Sequence, residues 1–309
     1  MSPAFRAFKR YLLRQASGFV SEIRPIAKEV ILPEGKYIRP TLVFSSAQRG
    51  ADESVLVRRA AIVELTHLST LVHDDVIDNA SMRRNKITPN SKYGSRTAIL
   101  LGDVIFSRMM LLAFEDADRR VSELLARCVG VICEGEIRQT LSDRREIVSR
   151  RRYYDIVYGK TAALFELSCR LGAMAGEGSQ AWSAAAAEVG RQLGIAYQIY
   201  DDICDWFMSE SAAGKTLGTD LISGKQTFPL IALIEKLSAG EAARFVRSLP
   251  ESDFADIRAK MMERGVLEDC SKEFTRRIAL AEKAMAPFPE NGAKLMDCCA
   301  ALRDMRIVV

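Results

Sequence analysis

Histidine is nearly missing from this 309-residue chain, with His67 and His73 the whole complement. That excludes most sites built on several imidazole bases or histidine-ligated transition metals. The seven cysteines (Cys128, Cys133, Cys169, Cys204, Cys270, Cys298, Cys299) are odd in number and include no Cys-x-x-Cys pair. Neither a zinc site nor a disulfide framework is therefore indicated. Single cysteines in apolar surroundings, such as Cys204 in Ile203-Cys204-Asp205, read as small core residues in a reducing compartment. Met1 to Arg10 lacks the apolar segment of a signal peptide, and no unbroken run of roughly 18 apolar residues points to a transmembrane span. These absences predict a cytoplasmic protein. The net charge of +4, from 44 Lys+Arg against 40 Asp+Glu, is too small to suggest nucleic acid as a partner.

Strand signals are absent too. Alternating Val/Ile/Thr runs do not occur, whereas apolar residues at helical spacing occur almost throughout. Between Ser54 and Asp78 they fall at Leu56, Ala60, Val63, Leu68, Leu71 and Val72. Segments 98–114 and 121–141 behave alike. Segment 181–207 carries Ala184 to Ala187, Gly190 and Gly194, which fits either a closely packed helix or plain alanine helix propensity. The breaks at 33–35, 85–94, 176–179 and 209–224 are too short and too unbiased to be domain linkers. With 48% hydrophobic residues there is ample material for a core, and disorder is excluded. The expectation is an all-α protein, a single domain over residues 1–309 with about ten or more helices.

Charge is concentrated in two places. His73-Asp74-Asp75-Val76-Ile77-Asp78 ends one predicted helix, with Asp74 and Asp78 at i,i+4 and Asp75 and Asp78 at i,i+3. Anions are misplaced there, because a helix C-terminus is the negative end of its dipole. Such a conflict of local rules fits a bound cation as well as a solvated acidic face. Asp201-Asp202-Ile203-Cys204-Asp205 repeats the pattern. One Asp-Asp-x-x-Asp motif is expected by chance in roughly 4% of such chains and two in about 0.1%, so the repeat favours the cation. Mg²⁺ takes oxygen ligands and is commonly held by one or two carboxylates plus substrate phosphates. A glycosidase-like carboxylate pair would need two acids, not two triplets.

Phosphates call for basic residues. Arg83-Arg84 follows the first motif, Lys36 and Arg39 lie in Gly35-Lys36-Tyr37-Ile38-Arg39-Pro40, and Lys160 lies in Gly159-Lys160-Thr161. Lys215 and Lys225 sit in two further glycine-flanked turns. Each alone reads as a surface charge; together they suggest a polyanion pocket. Gly-Lys-Thr here is not a P-loop, since the upstream glycine and strand are missing.

In these motifs the sequence resembles the trans-isoprenyl diphosphate synthases, the head-to-tail prenyltransferases, over most of its length from Gly35 to about Leu230. The Gly35–Pro40 loop matches the family's isopentenyl diphosphate loop. Leu71–Asp78 with Arg83-Arg84 matches the first aspartate-rich motif. Gly159–Phe165, Tyr197–Asp205 and Gly218–Thr227 match the remaining ones. The resemblance implies an all-α fold around a deep central cavity, usually a homodimer. It implies Mg²⁺, three ions per active site with Mn²⁺ as a possible substitute, held by Asp74, Asp78 and Asp201 with Asp75, Asp202 and Asp205 supporting. It assigns Arg83, Lys160, Lys215 and Lys225 to the allylic diphosphate and Lys36, Arg39, His67 and Arg84 to isopentenyl diphosphate. Thr161 and Gln198 would present neutral oxygens to the allylic cation beside Lys160, and the released diphosphate would take the proton.

The chain departs from the family at Asn85, where relatives have glycine, and at Ile87, where they commonly have a polar residue. Glu134-Gly135-Glu136-Ile137-Arg138-Gln139 is a weaker match to a family helix. In the family the residues four and five before the first aspartate form a floor under the growing chain; here they are Thr70 and Ser69, both small. The expected product is an all-trans, lipophilic polyprenyl diphosphate longer than C20, in the C30–C50 range. A short-chain C15–C20 synthase is the alternative, followed by a class I terpene cyclase or a non-catalytic partner subunit.

Overall fold

The computed structural model describes residues 2–32, 35–83, 86–141, 146–176, 179–208, 218, 221 and 224–305. Helices run in the order α1 (Pro3–Ser17), α2 (Arg24–Ile31), α3 (Ile38–Ser46) and α4 (Glu53–Ile77). A hairpin of β1 (Met82–Arg83) and β2 (Lys86–Ile87) follows, antiparallel with Met82 opposite Ile87. Next come α5 (Pro89–Tyr93), α6 (Ser95–Phe114), α7 (Arg120–Thr140), α8 (Arg150–Val157), a π-helical turn at Tyr158–Ala162, α9 (Ala163–Ala173) and α10 (Gln180–Phe207). The chain closes with α11 (Phe228–Ile234), α12 (Ala239–Ser248), α13 (Phe254–Glu263), α14 (Val266–Met285) and α15 (Pro289–Arg303). The hairpin is the only sheet among the described residues. An all-α fold is what the sequence predicts; the second strand of the hairpin lies in the break at 85–94 and the first just ahead of it.

Contacts divide the chain into two compact units of interleaved segments. The first holds residues 1–128, 164–190 and 287–295, and the second holds 129–163, 191–286 and 296–309.

The first unit is built around α4. Asp52 caps it by accepting from the Ser54 N–H at 2.8 Å. Its middle is buried on all sides, from Leu56 through Leu65 to Val72, because α1, α3 and α6 lie against it. Gly102 of α6 meets the His73 ring so closely that an added Cβ would overlap it. Arg59 is the costly residue in this core. Its guanidinium donates to both Asp116 oxygens at 3.0 Å and to the Leu171 carbonyl at 2.9 Å, with both charged side chains 3% exposed. Fork-to-carboxylate pairing offsets the desolvation of two ions and ties α4 to the turn after α6 and to the end of α9.

Helix α6 corrects one sequence expectation. By length and composition it could cross a membrane, with a mean hydropathy of 1.8 over an 18-residue window, 39% of which is buried. The sequence reading required an unbroken apolar run, and Arg96, Asp103 and Arg108 interrupt this one. Its buried residues Ala98, Leu101, Ile105, Met109 and Leu112 turn toward the core, while Ile99, Leu100, Leu111 and Phe114 are exposed.

In the second unit Glu273 of α14 accepts from Tyr154 at 2.8 Å, from Arg276 at 2.8 Å and from Arg277 at 2.6 Å. Burial works against its charge, but these hydrogen bonds hold the carboxyl down to about 2. Buried thiols follow the opposite rule. Desolvation pushes Cys128 in the first unit, and Cys299 in the second, up to about 12, so both are inert core residues.

Removing Asp116 leaves the Arg59 charge buried and unpaired. Asp116→Ala is expected to lower unfolding free energy by about 3–5 kcal/mol in urea denaturation, and adding Arg59→Met to recover most of it.

Candidate active site

Helix α4 ends where its aspartates begin. Asp78 is the C-cap, its N–H bonded to the Asp74 carbonyl at 2.8 Å. Asn79 then takes a left-handed conformation, φ 48°, which asparagine tolerates better than most side chains. The last turn contains no basic residue, so nothing on the helix itself offsets the carboxylates. Consecutive residues on a helix point about 100° apart, and the paired aspartates separate accordingly. Asp74 is half-buried and Asp78 exposed, one turn apart on a shared face. Asp75 points inward, 3% exposed. There the Arg83 Nε, carried back by the hairpin, donates to its Oδ1 at 2.7 Å. Burial pushes the Asp75 carboxyl up, and Arg83 opposes that shift.

Helical geometry also sorts the residues before the motif. Half-buried His67 and Thr70 lie on Asp74's side of α4, at i−7 and i−4. Ser69 does not. It is buried, and its hydroxyl donates to the Gly102 carbonyl of α6 at 3.0 Å. Of the two positions named from sequence, Thr70 is thus the one that shares the aspartate face.

The Gly35–Pro40 segment leads into α3 through Tyr37, whose φ of 48° turns the chain into the helix. The Tyr37 ring sits edge-on to Phe5 and Phe8 of α1. Lys36 is exposed. Arg39 stacks over the Phe165 ring at 4.9 Å, a cation–π contact that fixes its stem and orients the guanidinium.

In the second unit the π turn carries Lys160 and Thr161, half-buried and buried respectively. Such single-turn π insertions recur at functional sites. Opposite lies the Glu134–Gln139 stretch of α7. Glu136 pairs with the Lys160 Nζ at 2.5 Å, and Gln139 accepts from it at 3.3 Å. The weak sequence match is therefore the bracket that holds the lysine. The approach depends on two glycines, since a Cβ on Gly135 would fall 3.1 Å from the Gly159 Cα.

Asp201 is exposed, whereas Asp202 and Asp205 are each 1% exposed. Asp202 accepts three hydrogen bonds: Tyr153 Oη at 2.6 Å and Phe228 N at 3.1 Å on Oδ2, and Gln198 Nε2 at 2.8 Å on Oδ1. Gln198 in turn accepts from the Thr161 hydroxyl at 2.7 Å. Thr161, Gln198 and Asp202, named from sequence, are thus brought into one chain. Tyr153 was missed. It is fully buried, and burial followed by the Asp202 charge pushes its hydroxyl well above the usual tyrosine range, so it stays a donor. Separated from Asp202 by 49 residues, it left no local signal.

Lys225 is half-buried just ahead of α11. Arg84, Lys215 and the Asn85 turn lie outside the described residues. No cluster of three or more His, Cys, Asp or Glu side chains forms a closed metal cage among the described residues. The exposed carboxylates of Asp78 and Asp201, with half-buried Asp74, offer oxygens that suit a hard divalent cation completing its shell with ligand oxygens.

Residues 20–262 match the family model described as polyprenyl synthetase. The chain is 32% identical over 242 residues to the octaprenyl diphosphate synthase of Haemophilus influenzae, covering 78% of this chain and 74% of that one. It is 34% identical over 245 residues to the short chain isoprenyl diphosphate synthase of Methanothermobacter thermautotrophicus, covering 76% and 75%. Among solved structures, a polyprenyl synthase from Caulobacter crescentus, complexed with calcium and isoprenyl diphosphate, matches with a TM-score of 0.87. That pair is 29% identical, with 99% of this chain and 95% of that one covered.

The glycine contact gives a test. Gly135→Ala forces α7 and the π turn apart by a few tenths of an ångström and shifts Lys160. Since a misplacement of ~1 Å can cost about 100-fold, kcat/KM should fall about 10-fold in steady-state assays with the circular dichroism spectrum intact; wild-type kinetics would contradict the bracket.

Proposed function

The chain belongs to the polyprenyl synthetase family of prenyltransferases, and on that basis we propose that it condenses isopentenyl diphosphate with an allylic diphosphate into an all-trans polyprenyl diphosphate. One observation carries this reading: in both motifs the first member of the aspartate pair is the more exposed, half-buried at Asp74 and exposed at Asp201, while the next is buried and hydrogen-bonded. The outward residues Asp74, Asp78 and Asp201 are the proposed Mg²⁺ ligands, three ions per site, with Mn²⁺ as a substitute. Asp75, Asp202 and Asp205 support them. Bound Mg²⁺ would supply positive charge to the departing diphosphate.

The remaining work falls to side chains. Lys160, held by Glu136 and Gln139, adds charge to the allylic diphosphate with Lys225 and Lys215. Arg83, anchored on Asp75, does the same beside the first motif. Lys36, Arg39, His67 and Arg84 hold isopentenyl diphosphate, a dianionic group matched by cations. Thr161 and Gln198 face the allylic carbon with neutral oxygens, which stabilise positive charge without capturing it as a carboxylate would. The double bond of isopentenyl diphosphate attacks, and the released diphosphate takes the proton. No histidine is needed as a base.

The product is proposed to exceed C20, in the C30–C50 range, because the small Thr70 leaves room one turn from Asp74. Residues 1–309 are proposed to act as one catalytic domain in the cytoplasm, since the family match spans segments of both compact units. The exposed strip on α6 supports a homodimer. Ile99, Leu100, Leu111 and Phe114 are 45%, 56%, 47% and 68% exposed and fall along one side, interrupted by the exposed Arg96 and Asp103, apolar surface of the kind a second copy covers.

Purified protein incubated with Mg²⁺, an allylic diphosphate and labelled isopentenyl diphosphate should yield products above C20 by chromatography and mass analysis. A cyclic hydrocarbon would indicate a cyclase, and no product from any primer a partner subunit. Thr70→Phe should shift the distribution toward C15–C20; an unchanged distribution contradicts the assigned floor. Leu111→Glu with Phe114→Glu should convert a dimer to a monomer in light scattering, and a dimer that persists would place the interface elsewhere.

A further inference from the structure

Asp202 occupies the second position of its motif, but its surroundings are those of a hydrogen-bond anchor. It is 1% exposed, and both carboxylate oxygens are engaged: Oδ2 by the Tyr153 hydroxyl and the Phe228 N–H, Oδ1 by the Gln198 amide. An ionised carboxylate can only accept, whereas a side-chain amide has a donor end and an acceptor end. Asp202 therefore takes the Gln198 NH₂ and turns its carbonyl the other way. The carbonyl meets the Thr161 hydroxyl at 2.7 Å. Because the carbonyl cannot donate, the hydroxyl must, and the Thr161 proton is directed at Gln198. Reversing the amide would set its oxygen against the Asp202 carboxylate. The direction of every bond in Tyr153–Asp202–Gln198–Thr161 follows from the one charge.

We propose that Asp202, held by Tyr153 and the Phe228 N–H, is a positioning residue that fixes the polarity of Gln198 and Thr161 so that oxygen lone pairs, not N–H or O–H hydrogens, meet the allylic cation. This deepens the function proposed above and rests on it. Its consequence is a division within the motif. Asp201 acts on the metal, and Asp202 acts on the organic half of the substrate through Gln198. The anchor also involves α8, through Tyr153, and the start of α11, through the Phe228 N–H, so three elements of the second unit converge on one carboxylate.

Asp202→Asn keeps the shape and changes the polarity. Its oxygen can still accept from Tyr153 and Phe228, but its NH₂ then faces Gln198 and reverses that amide. The expected result is a kcat about 100-fold lower, the size of loss seen when one preorganised group is removed from a site of developing charge. KM for both diphosphates and the Mg²⁺ concentration for half-maximal rate should stay within about twofold of wild type, whereas Asp201→Asn should raise the Mg²⁺ requirement. Tyr153→Phe loosens the anchor without reversing it and should lower kcat by less, again at unchanged KM. The decisive arm is a double-mutant cycle: in a Gln198→Ala background, Asp202→Asn should cost little more, because its effect passes through Gln198. Additive losses in the cycle, an Asp202→Asn defect rescued by excess Mg²⁺, or an unchanged kcat would each overturn the proposal. Should Asp202→Asn fail to fold, Tyr153→Phe in the same cycle decides alone, with additivity as the overturning result. A wild-type protein without elongation activity would defeat the function itself, a result separate from all of these.

Discussion

Two carboxylates removed from water, one in each compact unit, set the terms for the residues around them. Stranding an ionised aspartate in a protein interior costs several kcal/mol unless its oxygens are matched. Asp75 and Asp202 are matched, the first by Arg83 and the second by Tyr153, Gln198 and a backbone N–H. Because neighbours on a helix diverge by about 100°, anchoring one aspartate of a pair inward obliges the other to face out. The Asp-Asp dipeptide is in this sense a geometric device. A single aspartate could face outward without it, but nothing would register its helix turn against the next element.

The same economy runs through the cationic side of the site. Arg83 is fixed by the carboxylate it neutralises, and Lys160 by Glu136 and Gln139. Arg39 is steadied by the face of Phe165. None of these contacts involves a histidine. Side chains held in this way need little rearrangement when charge develops beside them.

Much of this was legible in the sequence, for a physical reason: the residues proposed to meet phosphate and cation lie within short helical or loop segments. Asp74 and Asp78 are local neighbours whose i,i+4 spacing alone fixes their shared face, and Lys160 and Thr161 stand side by side in one short motif. What the sequence hid was carried by tertiary distance or by direction. Tyr153 reaches Asp202 across 49 residues. Ser69 and Thr70 are adjacent in sequence yet point to different sides of α4, a distinction settled only by the Gly102 carbonyl. The two-residue strands around Arg83 are too short to leave a period-two signal. In α6 two of the charges that broke the apolar run, Arg96 and Asp103, lie among residues exposed on one side, while the other side is core. Gly135 and Gly159 read as unexceptional until their backbones proved to be in contact.

Burial is proposed to divide the six aspartates into metal ligands and anchors. Manganese anomalous diffraction from crystals grown with Mn²⁺ and a non-reactive allylic diphosphate analogue tests it most directly. The account predicts anomalous peaks within coordination distance of Asp74, Asp78 and Asp201, with Asp75 still bonded to Arg83 and Asp202 to Tyr153. A peak ligated by Asp75 or Asp202, with those bonds broken, would contradict it.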